Sequence, residues 1–362
     1  MKKILILANF DLGLYKFRKE LIQAFLNDGN EVFISLPYGE LVEKLKAIGC
    51  KFIDTPIDRR GINPLTDFKL LRQYNKILKE IKPDVVITYT IKPNIYGGIA
   101  CRHNKIPYNI NITGLGTAFQ NDGMVKKIVC TLYRYVCKKA KVVFFENEEN
   151  RQTFLENQLV DEKKTYKLNG AGVNTKEYDF AEYPSEDDPI HFLFIGRVMK
   201  EKGIDEIFAA AKKIKNDYPE IVFDVVGPFE DNYKEIIEEL TKNGIIEYHG
   251  YKEDVRPSIK RANCFVLPSY HEGMANTLLE CGAMGRPLIT SRIHGCMEAV
   301  IEGKNGLLVK VMDVYDLEEK LRDFINMPYE QKVSMGKCSR EHIVKVFDKE
   351  QVVRETIRKI RE

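Results

Sequence analysis

Short apolar segments alternate with longer amphipathic ones along the first half of the chain. The apolar segments have the length of buried strands: KILILA, EVFISL, KFID, DVVIT, YNINI and VVFFE. Between them, segments such as FRKELIQAFLNDG place Phe17, Leu21, Ile22 and Phe25 at helical spacing and end at a glycine, which is typical of a helix terminus. Strands that alternate with helices predict a parallel sheet covered on both faces, that is, a doubly wound α/β domain.

The same alternation starts again in the second half of the chain. The second series of apolar segments is IHFLFIG, IVFDVVG, IEYHG, NCFVLP, PLIT and GLLV. The intervening stretch NGAGVNTKEYDFAEYPSEDDP is rich in turn-forming and acidic residues and is interpreted as a linker. With 362 residues the chain is also long enough for two domains. We therefore predict two Rossmann-like lobes that face a central cleft, with ligands beyond the carboxyl ends of the strands.

The composition is that of a globular protein. Hydrophobic residues make up 44% and charged residues 30%, with no low-complexity tract. The first apolar run, Ile4–Ala8, is too short for a signal peptide, and no run reaches the roughly 18 apolar residues of a membrane-spanning helix. The 8 cysteines include no C-x-x-C pair, so we expect buried thiols in a reducing cytoplasm.

The charge is distributed unevenly. Residues 1–170 carry 28 Lys and Arg against 18 Asp and Glu, whereas residues 171–344 carry 22 against 31. A basic half is typical of proteins that meet nucleic acid, an anionic membrane or a phosphorylated substrate, and equally of a solvated basic surface.

Two common enzyme signatures are missing, and a third is incomplete. The first strand is not followed by G-x-G-x-x-G, and no Walker A motif occurs, which disfavours dinucleotide oxidoreductases and P-loop enzymes. HEGMA begins like the zinc-protease motif H-E-x-x-H, but Ala275 takes the place of the second histidine. That motif is therefore excluded.

The segment IGRVMKEKG follows the first strand of the second series. It puts Arg197 and Lys202 on the side of the sheet where ligands are expected. Charge-assisted hydrogen bonds from two cations, worth about 1.5–3 kcal/mol each, would hold a diphosphate without a metal ion. The alternative is a pair of solvated cations at the start of a helix.

The segment SYHEGMANTLLE places two carboxylates where an unpaired charge is costly. Glu272 lies in the turn after the predicted strand Cys264–Pro268, and Glu280 lies in the helix that follows. Gly273 lets a ligand approach the backbone, and an anion site is predicted from outward-pointing amides of Met274, Ala275, Asn276 and Thr277. A sugar hydroxyl would suit Glu272 and ribose hydroxyls would suit Glu280, so a nucleotide-sugar is the predicted ligand.

These residues stand in a context that resembles the retaining glycosyltransferases of family 4. The resemblance is carried by GRVMKEKG, PSYHEGMANTLLECGAMGRPLITS, GCMEAVIEGKNGLLV and KLNGAGVNTKEY. It implies the GT-B fold, a UDP-sugar donor, and catalysis with no cofactor and no metal. It also implies that Arg197 and Lys202 hold the donor diphosphate, that Glu272 and the amides after it contact the sugar, and that Glu280 contacts the ribose. Gly13, Gly227 and Tyr251 are included among the donor-binding residues, the last two near the base.

The first half resembles family members that extend polyprenyl-diphosphate-linked saccharides for capsule, O-antigen or protein glycans, including galactosaminyltransferase-like enzymes. The matching segments are SLPYGELVEKLKAIGCKF, RRGINPLTDF, TYTIKPNIYGGIA and NITGLGTAFQNDG. The predicted acceptor-binding residues are Arg59, Arg60, Lys92, Thr113 and Gly114; solvated loop charges are the alternative for the three cations. Many members carry a histidine in the loop that here reads Asn111–Gly114, so we expect the departing phosphate to take the acceptor's proton instead.

One basic segment, GMVKKIVCTLYRYVCKKAK, predicts an amphipathic helix over residues 124–140. Its expected apolar face is formed by Val125, Ile128, Val129, Leu132 and Val136. Such a helix either packs on the core with its charged face in water or lies on an anionic membrane, where each cation adds about 1 kcal/mol.

Together the patterns and the resemblance predict an acceptor-binding domain over residues 1–170, completed by a C-terminal helix at 345–362, and a donor-binding domain over residues 171–344. The predicted enzyme is cytoplasmic, lies peripherally on the inner face of the cell membrane, and uses a UDP-N-acetylhexosamine or UDP-hexose. Two alternatives remain open: an epimerase or phosphorylase of the same architecture, and a non-catalytic nucleotide-sugar-binding subunit. Nucleic-acid binding is disfavoured, because carboxylates at the site would repel phosphates.

Overall fold

The computed structural model describes residues 1–59, 61, 63–115, 119 and 123–362. They form two compact units: residues 1–171 with 349–362, called the N-terminal domain below, and residues 172–348, called the C-terminal domain. The chain returns to the N-terminal domain at residue 349 rather than at the predicted 345. The reason is that the preceding helix continues to Phe347, whose side chain is buried in the core of the C-terminal domain.

The N-terminal domain is built on a parallel sheet. Within the described ranges its strands are β1 (Lys3–Leu7), β2 (Glu31–Leu36), β3 (Lys51–Asp54), β4 (Val85–Tyr89), β5 (Tyr108–Ile112), β6 (Val143–Phe145) and β7 (Thr165–Lys167). Their order across the sheet is β3-β2-β1-β4-β5-β6-β7. The inner strands are buried on both faces because helices cover both, as the continuous apolar segments predict. The edge strand β7 was not predicted.

The helices of this domain are α1 (Asp11–Asn27), α2 (Val42–Ile48), α3 (Pro64–Ile81), α4 (Gly98–Asn104), α5 (Met124–Cys137) and α6 (Glu148–Glu156), together with α13 (Lys349–Arg361) from the end of the chain. A π-helical turn, Pro93–Gly97, leads into α4. The start of α3 is fixed by Asn63, whose side chain accepts a hydrogen bond from the Leu65 amide at 3.0 Å. Helix α13 packs beside α1 and contributes Val352 and Ile360 to the core.

Helix α5 buries only part of the apolar face that its sequence predicts. Its buried residues are Cys130, Tyr133, Val136 and Cys137. Of the predicted apolar face, Val129 and Leu132 also pack against the core, whereas Val125 and Ile128 are 43% and 53% exposed. The two readings left open for this face therefore divide along the helix: its C-terminal half packs on the core, where Tyr133 contacts Phe154, and its N-terminal end stays exposed.

The C-terminal domain has a second parallel sheet. Its strands are β8 (His191–Ile195), β9 (Val222–Val226), β10 (Glu247–Tyr248), β11 (Cys264–Leu267), β12 (Leu288–Ser291) and β13 (Gly306–Val309), in the order β10-β9-β8-β11-β12-β13. The helices are α7 (Ile204–Asp217), α8 (Lys234–Lys242), α9 (Arg256–Arg261), α10 (Asn276–Ala283), α11 (Val314–Ile325) and α12 (Tyr329–Phe347). The strand order reverses between β8 and β11, and doubly wound sheets bind ligands at the carboxyl ends of such a pair.

Among the residues that the structure describes, no helix combines the length and the apolar character needed to cross a bilayer.

Candidate active site

The loops that follow β8 and β11 lie against each other at the point where the strand order reverses. Gly203 has φ +72°, and a Cβ there would lie 2.1 Å from the carbonyl oxygen of Pro268. The Tyr270 amide donates to the Glu201 carbonyl at 3.0 Å. Only a glycine at position 203 allows this approach, which brings the two predicted donor-binding segments together.

Lys202 and Glu272 meet where these two loops touch. The Lys202 ammonium forms an ion pair with Oε1 of Glu272, and the Ser269 hydroxyl donates to the same oxygen at 2.9 Å. The Lys202 and Glu272 side chains are only 20% and 12% exposed. The sequence pattern indicated that Glu272 needs a partner. It pairs with the Lys202 ammonium from the loop after β8 and with the Ser269 hydroxyl from the loop after β11.

Arg197 lies at the start of the same loop as Lys202. Its Nη1 is 3.2 Å from Oε1 of Glu230, and its side chain is 47% exposed. An ion pair so exposed to solvent contributes little stabilisation. An incoming anion would therefore displace Glu230 from this guanidinium at a small cost in free energy. Arg197 and Lys202 thus differ: the first is held weakly and the second firmly.

The helix N-terminus at α10 departs from the prediction at Ala275. The Ala275 amide donates to the carbonyl of Gly295 at 2.8 Å and does not point outward to a ligand. Met274 and Ala275 are both buried. Gly273 lies in the turn and Thr277 in the first turn of the helix, both half-buried. The anion site predicted there consequently loses one of its amides.

Asn276, the first residue of α10, is half-buried. Its side-chain amide donates to the Met274 carbonyl at 3.4 Å. This bond stays within the turn and ties the start of the helix to the residue before Ala275.

Glu280 hydrogen-bonds with the hydroxyl of Tyr178. Burial, and after it the negative charge of Glu280, raises the pKa of Tyr178. The phenol therefore stays protonated and donates a hydrogen bond to the carboxylate. The backbone of Tyr178 is held by Arg340, whose Nη1 donates to the Tyr178 carbonyl at 2.9 Å. Tyr178 belongs to the segment KLNGAGVNTKEY, which signals the domain junction but gives no hint of this contact.

The two glycine loops predicted to lie near the base are also brought together. The Gly227 amide donates to the Gly250 carbonyl at 2.9 Å, and the Tyr248 hydroxyl donates to the Gly227 carbonyl at 2.8 Å. A Cβ on Gly227 would lie 1.8 Å from the carbonyl of Gly196, so the ends of β8 and β9 touch here. Tyr251, the next residue after Gly250, is 58% exposed.

A buried carboxylate, Asp224, supports these strands from one face of the sheet. It accepts hydrogen bonds from His191 Nδ1 at 2.8 Å and His249 Nε2 at 2.6 Å, and Arg261 also donates to it. Burial alone would raise the pKa of Asp224, but the bonds from the two imidazoles and the charge of Arg261 lower it overall.

Asp224, Glu247 and His249 have the donor atoms of a metal site. The guanidinium of Arg261, however, already pairs with the Asp224 carboxylate and lies 3.7 Å from that of Glu247, so a cation is present where a metal ion would bind. We therefore interpret the cluster as an ion-paired support for β9 and β10, which the sequence did not predict.

In the N-terminal domain, two of the predicted residues lie beside Phe10, just beyond the carboxyl end of β1. The guanidinium of Arg59 stands 4.3 Å from the centre of the Phe10 ring. Gly13 is in the first turn of α1, and a Cβ there would lie 2.9 Å from the same ring. Arg60 lies outside the described residues.

Lys92 has a firm partner. Its Nζ is 2.7 Å from Oδ1 of Asp67, and both side chains are 13% exposed. The Tyr96 hydroxyl donates to the other oxygen of Asp67 at 2.8 Å. An acceptor phosphate would therefore have to compete with Asp67 for Lys92. Thr113 and Gly114 directly follow β5 and are half-buried.

Both domains match models of glycosyltransferase families. The model described as glycosyl transferases group 1 covers residues 175–342, and the model described as glycosyl transferase 4-like covers residues 3–147. The chain is therefore built of two glycosyltransferase domains, one in each compact unit. The first matched range contains Arg197, Lys202, Glu272 and Glu280, so the loops described above are part of its glycosyltransferase domain.

Two curated bacterial relatives share sequence with this glycosyltransferase over much of its length. The N,N'-diacetylbacillosaminyl-diphospho-undecaprenol alpha-1,3-N-acetylgalactosaminyltransferase of Campylobacter jejuni is 29% identical and aligned over 88% of each chain. The UDP-Gal:alpha-D-GlcNAc-diphosphoundecaprenol alpha-1,3-galactosyltransferase of Escherichia coli is 27% identical over 70% of each.

Among solved structures, Anabaena Alr3699/HepE in complex with UDP-glucose superposes with a TM-score of 0.80 at 16% identity, covering 99% of both chains. This likeness confirms the predicted GT-B fold of two α/β domains.

Proposed function

We propose that this glycosyltransferase moves an N-acetylhexosamine or hexose from a UDP-sugar to a polyprenyl-diphosphate-linked saccharide, with retention of configuration and without a metal ion. The observation that carries the proposal is the Lys202–Glu272 pair at the carboxyl ends of β8 and β11, with Arg197 in the same loop as Lys202. The names of the two relatives support the acceptor class, and one of them names a UDP-linked donor.

The donor side of the reaction follows from these charges. Arg197 exchanges Glu230 for an oxygen of the diphosphate, and Lys202 turns from Glu272 to the same group. Both cations then compensate the negative charge that grows on UDP as the glycosidic bond breaks, which is the electrostatic contribution that usually dominates such catalysis. Glu272, released from Lys202, accepts a hydrogen bond from a hydroxyl of the sugar, and Glu280 does the same for the ribose. The departing phosphate takes the proton of the acceptor hydroxyl.

The acceptor side is assigned to the N-terminal domain, whose surplus of basic residues suits a lipid-linked diphosphate. Helix α5 supports a position at an anionic membrane surface, inside the cell. Its exposed apolar side chains include Met124 at 78%, Ile128 at 53% and Tyr135 at 48%. Exposed cations, Lys127 and Lys138, flank them. Apolar and cationic groups together are what an interfacial helix presents to anionic lipid.

The test is the release of UDP by the purified protein from a panel of UDP-sugars, in the presence of EDTA and with or without a detergent-dispersed polyprenyl diphospho-saccharide. The proposal predicts that release requires one donor and the lipid acceptor together. UDP binding without release under any pairing would favour a non-catalytic subunit. Conversion of a UDP-sugar without acceptor would favour an epimerase, and dependence on an added divalent ion would overturn the metal-independent step.

A further inference from the structure

The turn Glu272–Ala275 rests on a second segment, Arg292–Glu298, which follows β12. Gly295 has φ +88°, and a Cβ there would lie 2.7 Å from the carbonyl oxygens of both Glu272 and Gly273. The carbonyl of Gly295 also accepts a hydrogen bond from the Ala275 amide at 2.8 Å. The backbone of Gly295 therefore contacts the turn at three of its four residues and sets how closely it can approach.

The position of Gly295 is in turn fixed by the side chain of Glu298. Oε2 of Glu298 accepts the Gly295 amide at 2.7 Å, and Oε1 is 2.8 Å from Nδ1 of His294. The backbone carbonyl of Glu298 accepts from Nε2 of His342 on α12 at 2.9 Å. Gly295 is thus held through its amide by Glu298 and through its carbonyl by the turn.

We propose that Glu298 is a positioning residue for the donor site: it holds Gly295 so that the turn Glu272–Ala275 presents the Glu272 carboxylate to the donor sugar. The inference rests on the proposed function of Glu272. Glu298 acts through the backbone of Gly295 and does not itself contact the substrate. A carboxylate suits this role because its two oxygens accept from the Gly295 amide and from His294 at the same time, whereas a glutamine offers only one acceptor oxygen.

The prediction is a selective loss of turnover in Glu298→Gln. With the donor sugar misplaced but the diphosphate contacts intact, kcat for the UDP-sugar falls about tenfold or more, the change expected from one lost charge-assisted hydrogen bond. UDP lacks the donor sugar, so its Kd stays within about threefold of the wild-type value. Glu302→Gln is the matched control: Glu302 is an exposed glutamate in the same region, paired with Arg292, and we expect it to behave as wild type.

A double-mutant cycle separates positioning from a general structural role. If Glu298 acts through the turn, Glu298→Gln lowers kcat in the wild-type background but not further in Glu272→Gln. The proposal would be overturned if the kcat losses of the two variants multiplied in the double variant. It would also be overturned if Glu298→Gln weakened UDP binding as much as it lowered kcat. Gly295→Ala moves the turn without removing a charge and should give the same selective loss, so it serves if Glu298→Gln fails to fold; wild-type kcat in Gly295→Ala would refute the contact.

Failure of the proposed function and failure of the role given to Glu298 lead to different results. A wild-type protein that never turns over a UDP-sugar contradicts the proposed function, whereas a fully active Glu298→Gln contradicts only the role of Glu298.

Discussion

Replacing Glu272 by glutamine should make the protein bind UDP more tightly while it transfers sugar more slowly. In the free protein Lys202 is paired with Glu272, and both side chains are largely buried. UDP lacks the donor sugar that Glu272 would contact, so the carboxylate only competes with the diphosphate for Lys202 and repels it. Glutamine keeps an oxygen that accepts from Ser269 and Lys202 but removes the negative charge.

The magnitude follows from the strength of the pair. Exposed ion pairs contribute about 0.2–1 kcal/mol and hydrogen bonds to charged groups about 1.5–3 kcal/mol. Because Lys202 and Glu272 are 20% and 12% exposed, a value near 1–1.4 kcal/mol is reasonable, between these ranges. Since 1.4 kcal/mol is a factor of ten, the Kd for UDP should fall about five- to tenfold in Glu272→Gln.

Isothermal titration calorimetry with UDP measures this directly, and the donor kcat is measured beside it. The control is Glu238→Gln, which makes the same change of net charge at an exposed pair with Lys234. Its effect on Kd should be small and should vanish at higher salt, where distant charges are screened. Unchanged or weaker UDP binding in Glu272→Gln would refute the competition between Glu272 and the diphosphate.

Three further predictions concern other parts of the molecule. Glu280→Ala should weaken UDP binding about tenfold, since it removes a hydrogen bond to a charged group, while kcat at saturating donor changes less; an equal loss of kcat would contradict the separate roles of Glu280 and Glu272. Asp224→Asn should lower the free energy of unfolding in urea by about 2–3 kcal/mol at neutral pH, because it leaves the Arg261 guanidinium and the two imidazole N–H groups without their carboxylate. Since folding lowers the pKa of Asp224, its contribution is present at neutral pH and is lost as the pH falls below about 4, so the difference from wild type should narrow there. Val125→Glu with Ile128→Glu should reduce sedimentation with phosphatidylserine vesicles without lowering UDP affinity, and undiminished sedimentation would exclude α5 as the membrane contact.

Much of the fold could be predicted because strands buried on both faces leave continuous apolar segments. Each of the twelve segments identified from the pattern coincides with a strand. Strand β7, TYK, escaped because it is a three-residue edge strand with no buried residue and therefore carries no such signal. The pattern over α5 left open whether its apolar face packs on the core; Val129, Leu132 and Val136 do, whereas Val125 and Ile128 stay exposed. Which part is buried depends on contacts with other segments, such as that of Tyr133 with Phe154.

The site was predictable where its chemistry lies in one short segment and not where it depends on contacts between segments. Lys202 and Glu272 were both identified, but their pairing requires the close approach at Gly203, which no local pattern encodes. The Ala275 amide was misjudged for the same reason: its acceptor, Gly295, is twenty residues further along the chain. The contact between Tyr178 and Glu280 could not be predicted either, since the two residues are far apart in the chain and meet only in the folded domain.

Sugar transfer to the lipid is detected most directly by mass spectrometry of a polyprenyl diphospho-saccharide after incubation with the protein and a UDP-sugar panel in EDTA. We expect the lipid to gain the mass of one hexose or N-acetylhexosamine with a single donor, and Lys202→Ala to reduce this gain by about tenfold or more. A lipid that stays unmodified with every donor while the protein still binds UDP, or full transfer by Lys202→Ala, would contradict this expectation.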